Sequence, residues 1–113
     1  MFDARLLDKI KFFSDLSQSA KKEISMLDSA FKKFPSESTV VSEGDETYSF
    51  FVLLQGMASV YKKPNINPIN ELKPGAVFGE AAFLTEKPRM ATVIAMDTCI
   101  FLEFDRKILN QLS

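Results

Sequence analysis

Glu80 and Arg89 stand nine positions apart in Phe78-Gly79-Glu80-Ala81-Ala82-Phe83-Leu84-Thr85-Glu86-Lys87-Pro88-Arg89-Met90-Ala91-Thr92-Val93, a stretch that breaks the alternation of the residues around it. An ionised carboxylate only accepts hydrogen bonds, which suits a sugar hydroxyl rather than a phosphate. A guanidinium fork can hold two phosphate oxygens at once. Gly79 permits a backbone conformation or a close approach that a Cβ would hinder. Glu80 to Leu84 can close one helical turn, whose first N–H groups lack intrahelical partners and make an anion-binding end. Pro88, with its fixed φ, stiffens the approach to Arg89. From the residues alone two arrangements stay open. One is a sugar-phosphate pocket, and the other is a Glu80–Arg89 salt bridge over a tight turn.

The rest of the chain narrows the chemistry. It has 113 residues, enough for one domain and too few for two. An apolar fraction of 46% with 11 Phe argues against disorder. No His is present, which removes His-based triads and His-ligated metals and leaves no good enzyme site. Fourteen basic against 15 acidic residues give a net charge of -1, so no basic face for nucleic acid is expected. Phe50 to Leu54 is the longest apolar run, far short of the ~20 residues of a membrane span. Asp3, Arg5, Asp8 and Lys9 interrupt any signal-peptide pattern. A single Cys99 cannot form an internal disulfide, which suits a reducing, cytoplasmic setting. Its place in an apolar strand marks it as a packing residue rather than a nucleophile.

The elements that must position Glu80 and Arg89 read as helices, then strands, then a helix. Leu6, Leu7, Ile10 and Phe13 recur at helical spacing, with a break at Phe12-Phe13-Ser14-Asp15. Ser17 caps a second helix with the stripe Ala20, Ile24, Leu27 and Phe31, and Lys21, Lys22 and Glu23 on a solvated face. Beyond Pro35 short apolar runs alternate with turns, the pattern of a sandwich or barrel. Strands are expected at Thr39 to Ser42, Tyr48 to Gln55, Ala58 to Tyr61, Ile69 to Leu72, Thr92 to Ala95 and Ile100 to Phe104. The second, apolar on both faces, belongs at the centre of the core. Pro64-Asn65-Ile66-Asn67-Pro68 reads as an exposed loop. Asp105 caps a closing helix with Ile108, Leu109 and Leu112 on one face. The expected division is a helical segment over 1–34, a β-roll over 35–104 with the Glu80–Arg89 segment at 78–92, and a short helix over 105–113, all in one domain.

Phe78-Gly79-Glu80-Ala81-Ala82 followed by Pro88-Arg89-Met90-Ala91-Thr92-Val93 resembles the phosphate-binding cassette of the cyclic nucleotide-binding domain family, found in catabolite activator proteins and cyclic-nucleotide-dependent kinases. Ser42-Glu43-Gly44-Asp45 and Phe50-Phe51-Val52-Leu53-Leu54-Gln55-Gly56 are similar to its Glu-Gly-Asp turn and central strand. Leu72-Lys73-Pro74-Gly75-Ala76-Val77 resembles the turn that enters the cassette. Gly44, Gly56, Gly75 and Gly79 all fall where the family uses glycine. Ile10 to Leu16 and the capped helix after it resemble the family's N-terminal helical bundle.

This resemblance implies a mainly β fold, an antiparallel β-roll (double-stranded β-helix or jelly roll) of roughly eight strands with an N-terminal helical bundle and a short C-terminal helix. It implies an intracellular, non-catalytic sensor for a cyclic nucleotide, with no other cofactor, no metal, no membrane span and an effector protein or domain outside this chain. Glu80 would accept from the ribose 2′-hydroxyl beside the Gly79 backbone. Arg89 would pair with the cyclic phosphate, helped by the N–H groups of Ala82 and Ala91 and by the Ala81 backbone. Phe78, Met90 and Thr92 complete the expected ligand contacts, while Phe83 and Leu84 are expected as core anchors. Met90 stands where cGMP-selective members tend to carry a Thr, and a thioether donates no hydrogen bond to guanine, so cAMP is favoured over cGMP. Family members usually continue into a longer hinge helix and a lid over the base. Here Asp105 to Ser113 follows the last strand, which leaves either a trimmed domain or one without its lid. The closing helix is expected to pack on Phe83 and Leu84 and to move when ligand binds. The alternative is a degenerate domain that keeps the fold and uses a Phe-rich surface as a protein-interaction scaffold.

Overall fold

A computed structural model describes residue 8 and residues 13–111 of the chain. The polypeptide forms α1 (Gln18–Ser25), a 3-10 turn (Asp28–Ala30), β1 (Phe31–Phe34), β2 (Thr39–Val41), β3 (Phe50–Gln55), β4 (Ala58–Tyr61), β5 (Asn70–Leu72), β6 (Val77–Phe78), α2 (Glu80–Thr85), β7 (Thr92–Ala95), β8 (Cys99–Phe104) and α3 (Arg106–Leu109). The strands make two four-stranded sheets, in the orders β1-β8-β3-β6 and β2-β7-β4-β5, and every pairing is antiparallel. This is the expected mainly β roll flanked by helices. β4 and β7 have the bounds read from the sequence, and β3 lies inside its sheet with both faces covered.

Alternation along β3 divides the core in two. Phe51 and Leu53 join Val41, Ala58, Leu72, Val93, Ala95, Cys99 and Phe101 between the sheets. Phe50 and Val52 face the other way, with Leu102 and Phe104, onto Phe13, Ile24, Phe83 and Ile108 from the helical segments. Phe50 stacks on Phe104 at 5.1 Å between ring centroids and meets Phe83 edge-on at 5.0 Å. Such aromatic pairs add to the burial of their area.

Local chemistry explains the helix ends. Ser17 Oγ accepts from the Ala20 N–H at 3.1 Å and starts α1. Asp105 Oδ1 accepts from the Ile108 N–H at 2.7 Å and starts α3. The helical stripe does not run on to Phe31, however. That residue opens β1, whose register pairs Phe31 with Leu102 and Phe34 with Cys99. Lys21 is buried instead of solvated, because its ammonium donates to Asp8 Oδ1 at 2.8 Å. Leu84 is 69% exposed and is no core anchor, whereas Phe83 is buried as expected. The helix expected over Leu6, Leu7 and Ile10, the bundle it would complete, and Leu112 lie outside the described residues. The loop from Pro64 to Pro68 is exposed throughout, as read.

Candidate functional site

A cleft of about 340 Å³ opens beside α2, between the cassette segment and the second sheet. Phe78, Gly79, Glu80, Ala81, Ala82, Arg89, Met90 and Ala91 line it, which is eight of the nine residues singled out in the sequence. Thr92 is the ninth and is not in the lining. Its Oγ1 accepts from the Glu43 N–H at 2.9 Å, so the hydroxyl ties β7 to the neighbouring turn. The apolar walls come from Val41, Val60, Leu72, Val77 and Val93, with Asn70 the one neutral amide side chain in the lining. Strand alternation could show which face each of these residues takes. It could not show which strands meet across the cleft.

Gly79 precedes α2 with φ +88°, in the left-handed region. A Cβ there would stand 2.7 Å from Arg89 Nη1 and 2.9 Å from the Ser49 carbonyl oxygen. Glycine is therefore required twice, by backbone conformation and by the close approach of the guanidinium. The first bond inside α2 is donated by the Phe83 N–H to the Gly79 carbonyl at 3.1 Å. The N–H groups of Glu80, Ala81 and Ala82 thus have no acceptor within the helix and lie at the cleft end of it.

Two backbone hydrogen bonds seat Arg89 on the Glu43-Gly44-Asp45 turn. Its N–H donates to the Asp45 carbonyl at 2.9 Å, and its carbonyl accepts from the Gly44 N–H at 2.8 Å. The next carbonyl, that of Met90, accepts from Lys62 Nζ at 2.7 Å. The Arg89 side chain is 5% exposed. Its Nε–H donates to Thr47 Oγ1 at 3.0 Å, Nη1 to the Ser49 carbonyl at 2.6 Å and Nη2 to Ser49 Oγ at 3.0 Å. Three of five guanidinium N–H groups are engaged in this way, and two remain. The guanidinium also lies 5.6 Å from the centroid of the Phe51 ring, itself stacked on Phe78 at 4.8 Å.

Burial pushes the Arg89 pKa down, and the negative charges of Glu103 and Asp45 push it back up. The group stays cationic in any accessible pH range. Glu80 is exposed at the cleft and forms no ion pair with Arg89, so the salt-bridge arrangement left open by the sequence is not the one adopted. A fixed cation with uncommitted donors and an acceptor-only carboxylate face the same cleft from the two ends of one segment. This arrangement can hold an anion and a hydroxylated group side by side. Thr47 and Ser49, which hold the cation, went unrecognised in the sequence. The one signal was a hydroxyl at Ser49, two positions before Phe51 and hence on the same face in an apolar run.

Residues 31–113 match the cyclic nucleotide-binding domain family. A cAMP-dependent protein kinase regulatory subunit of Aspergillus niger is 34% identical over 95 residues, 84% of this chain and 23% of its own length. A cGMP-dependent protein kinase of Plasmodium berghei is 33% identical over 104 residues, 92% of this chain and 12% of its own length. The chain thus spans less than a quarter of either relative. Among solved structures, one described as "cAMP bound PfPKA-R (141-441)" superposes with a TM-score of 0.80 at 27% identity, covering 96% of this chain and 38% of that one. The matched stretch contains every strand of the roll, the Glu43-Gly44-Asp45 turn that seats Arg89 and the whole cleft-lining segment, and the chain belongs to the cyclic nucleotide-binding domain family.

Proposed function

We propose that this chain is a non-catalytic sensor module that binds a cyclic nucleotide, cAMP in preference to cGMP, in the cleft beside α2. The observation that carries the reading is the buried Arg89 guanidinium, held on one side by Thr47 and Ser49 with two donors uncommitted. The cyclic phosphate takes those donors, together with the N–H groups of Ala82 and Ala91 and the backbone at Ala81. Glu80 accepts from the ribose 2′-hydroxyl next to Gly79. Phe78 and Met90 border the nucleotide, and the Met90 thioether offers no hydrogen bond to a guanine amino group. Thr92 contributes through the turn it anchors, not by touching ligand. The A. niger relative is named for cAMP and the P. berghei relative for cGMP.

Binding is coupled to α3. Ile108 packs in the same cluster as Phe83 and Phe50, and the Arg106 guanidinium lies 4.5 Å from the centroid of the Phe83 ring. Phosphate drawn against α2 shifts what packs on Phe83. Ligand moves α3 only by its differential affinity for two positions of the helix. The output passes to an effector protein or domain outside this chain, in a cytoplasmic setting. Among the described residues, no helix is long and apolar enough to cross a membrane.

Calorimetric titration of the folded chain with cAMP and with cGMP tests the binding. A measurable heat with cAMP, and a weaker one with cGMP, is expected. A flat trace with both would replace this reading with the scaffold alternative. Amide exchange over 105–109 tests the coupling, with altered protection expected when nucleotide is added. Protection confined to 79–91 would mean that the chain binds without transmitting.

A further inference from the structure

Along β8, Cys99, Phe101 and Glu103 fall on one face, and Glu103 pairs in register with Phe51 of β3. Cys99, Phe101, Phe51 and Leu53 belong to the apolar cluster between the sheets. Glu103 is therefore a carboxylate at the end of an apolar row, a place where a charge is costly unless it is compensated. The compensation is specific. Ser49 Oγ–H donates to Glu103 Oε2 at 2.5 Å, and Ser49 Oγ accepts from Arg89 Nη2 at 3.0 Å. A hydroxyl has one proton to give. With that proton committed to Glu103, Ser49 presents a lone pair to Arg89. Glu103 itself lines a separate crevice with Thr47, Asp105 and Arg106, and it is absent from the lining of the cleft.

We infer that Glu103 is a positioning residue for phosphate recognition: acting through the Ser49 hydroxyl, it sets the Arg89 guanidinium so that the two remaining donors face the cleft. The inference rests on the cyclic-nucleotide reading for its ligand, while the positioning can be measured without one.

The test uses the full chain with Glu103→Ala, Glu103→Gln, Ser49→Ala and the Ser49→Ala/Glu103→Ala double substitution. Two quantities are read: hydrogen exchange of the Arg89 Nε–H by nitrogen-15 NMR in nucleotide-free protein, and cAMP affinity by calorimetry. Glu103→Ala is expected to speed the Arg89 exchange and to weaken cAMP binding about tenfold, the scale of losing one hydrogen bond that supports a charged group. Glu103→Gln, whose amide carbonyl still accepts from Ser49, is expected to stay within about threefold of the parent. The double substitution should bind no more weakly than the weaker single one, because both remove one chain of hydrogen bonds. Parent-like Arg89 exchange in Glu103→Ala would overturn the inference, as would a double loss equal to the product of the single losses. If Glu103→Ala does not fold, Glu103→Met, which keeps the side-chain length but offers Ser49 no carboxylate, decides by the same exchange measurement. A parent chain that binds neither cAMP nor cGMP, with Arg89 exchange still dependent on Glu103, would overturn the ligand reading alone.

Discussion

Arg89 Nη1 occupies the space beside residue 79 so closely that a Cβ on Gly79 would lie 2.7 Å from it. The left-handed turn that starts α2 and the cation of the cleft are thereby one construction, and a change at either residue is felt at the other.

Gly79→Ala should therefore damage both stability and binding. A left-handed conformation costs an alanine about 1–2 kcal/mol. The new methyl also meets Arg89 Nη1 and the Ser49 carbonyl, so Arg89 must move. The melting temperature is expected to fall by roughly 5 °C or more, and cAMP titration should show a weaker site in the protein that remains folded. An unchanged melting curve would contradict the geometry.

Arg89→Ala should cost about 3–5 kcal/mol of cAMP binding, the scale for losing one member of a buried charged pair. At 1.4 kcal/mol per tenfold, affinity drops by roughly two to three and a half orders of magnitude. The ligand-free protein is affected as well. Removing three donated hydrogen bonds leaves the Ser49 carbonyl and the Glu103 network short of a partner, which should destabilise the fold by about 1–3 kcal/mol. Denaturant unfolding separates this effect from the binding loss.

Thr92→Val distinguishes a ligand contact from a structural one. Its hydroxyl accepts from the Glu43 N–H, so its loss should lower stability by about 1 kcal/mol. Affinity for cAMP should stay within about threefold of the parent, under 1 kcal/mol. A loss beyond tenfold with parent-like stability would place Thr92 in contact with the nucleotide.

Cys99 supplies a pH dependence. Burial pushes its thiol pKa up, and the negative charge of Asp97 adds to the effect. The protonated thiol is thus favoured in the native state, whereas an unfolded thiol titrates near about 8.5. The stabilisation is fully present below that value and is lost as pH rises towards and through the raised native pKa. Urea unfolding at pH 7.5 and at about pH 10 should show a smaller alkaline loss in Cys99→Ala than in the parent. Equal losses in the two proteins would remove Cys99 from the account.

The cassette was legible because its chemistry is local. Glycine, carboxylate and guanidinium sit within one short stretch, and the structure brings all three to one cleft. Short strands with clean turns, such as Ala58–Tyr61, were legible for the same reason. What stayed hidden depends on distant partners. Phe31-Lys32-Lys33-Phe34 continues a helical spacing, and only its pairing with β8 makes it a strand. Lys21 is buried by Asp8, 13 positions away. Leu84 follows Phe83 directly, yet on a six-residue helix only one of the two can turn to the core. Ser49 gains its role from Arg89 and Glu103, 40 and 54 positions further on.

The strand orders β1-β8-β3-β6 and β2-β7-β4-β5 carry a consequence for how the chain comes together. In each sheet a late strand is wedged between two early ones: β8 separates β1 from β3, and β7 separates β2 from β4. During synthesis from the N-terminus, β4 with β5 and β3 with β6 can zip as soon as they emerge, but neither sheet can close until its wedge arrives. Such sequence-distant pairing slows folding. Arg89 stands three residues before the first wedge, so the cleft acquires its cation only as the roll shuts. A nascent chain halted before β7 would leave unpaired the four strand edges, on β1, β2, β3 and β4, that the wedges cover.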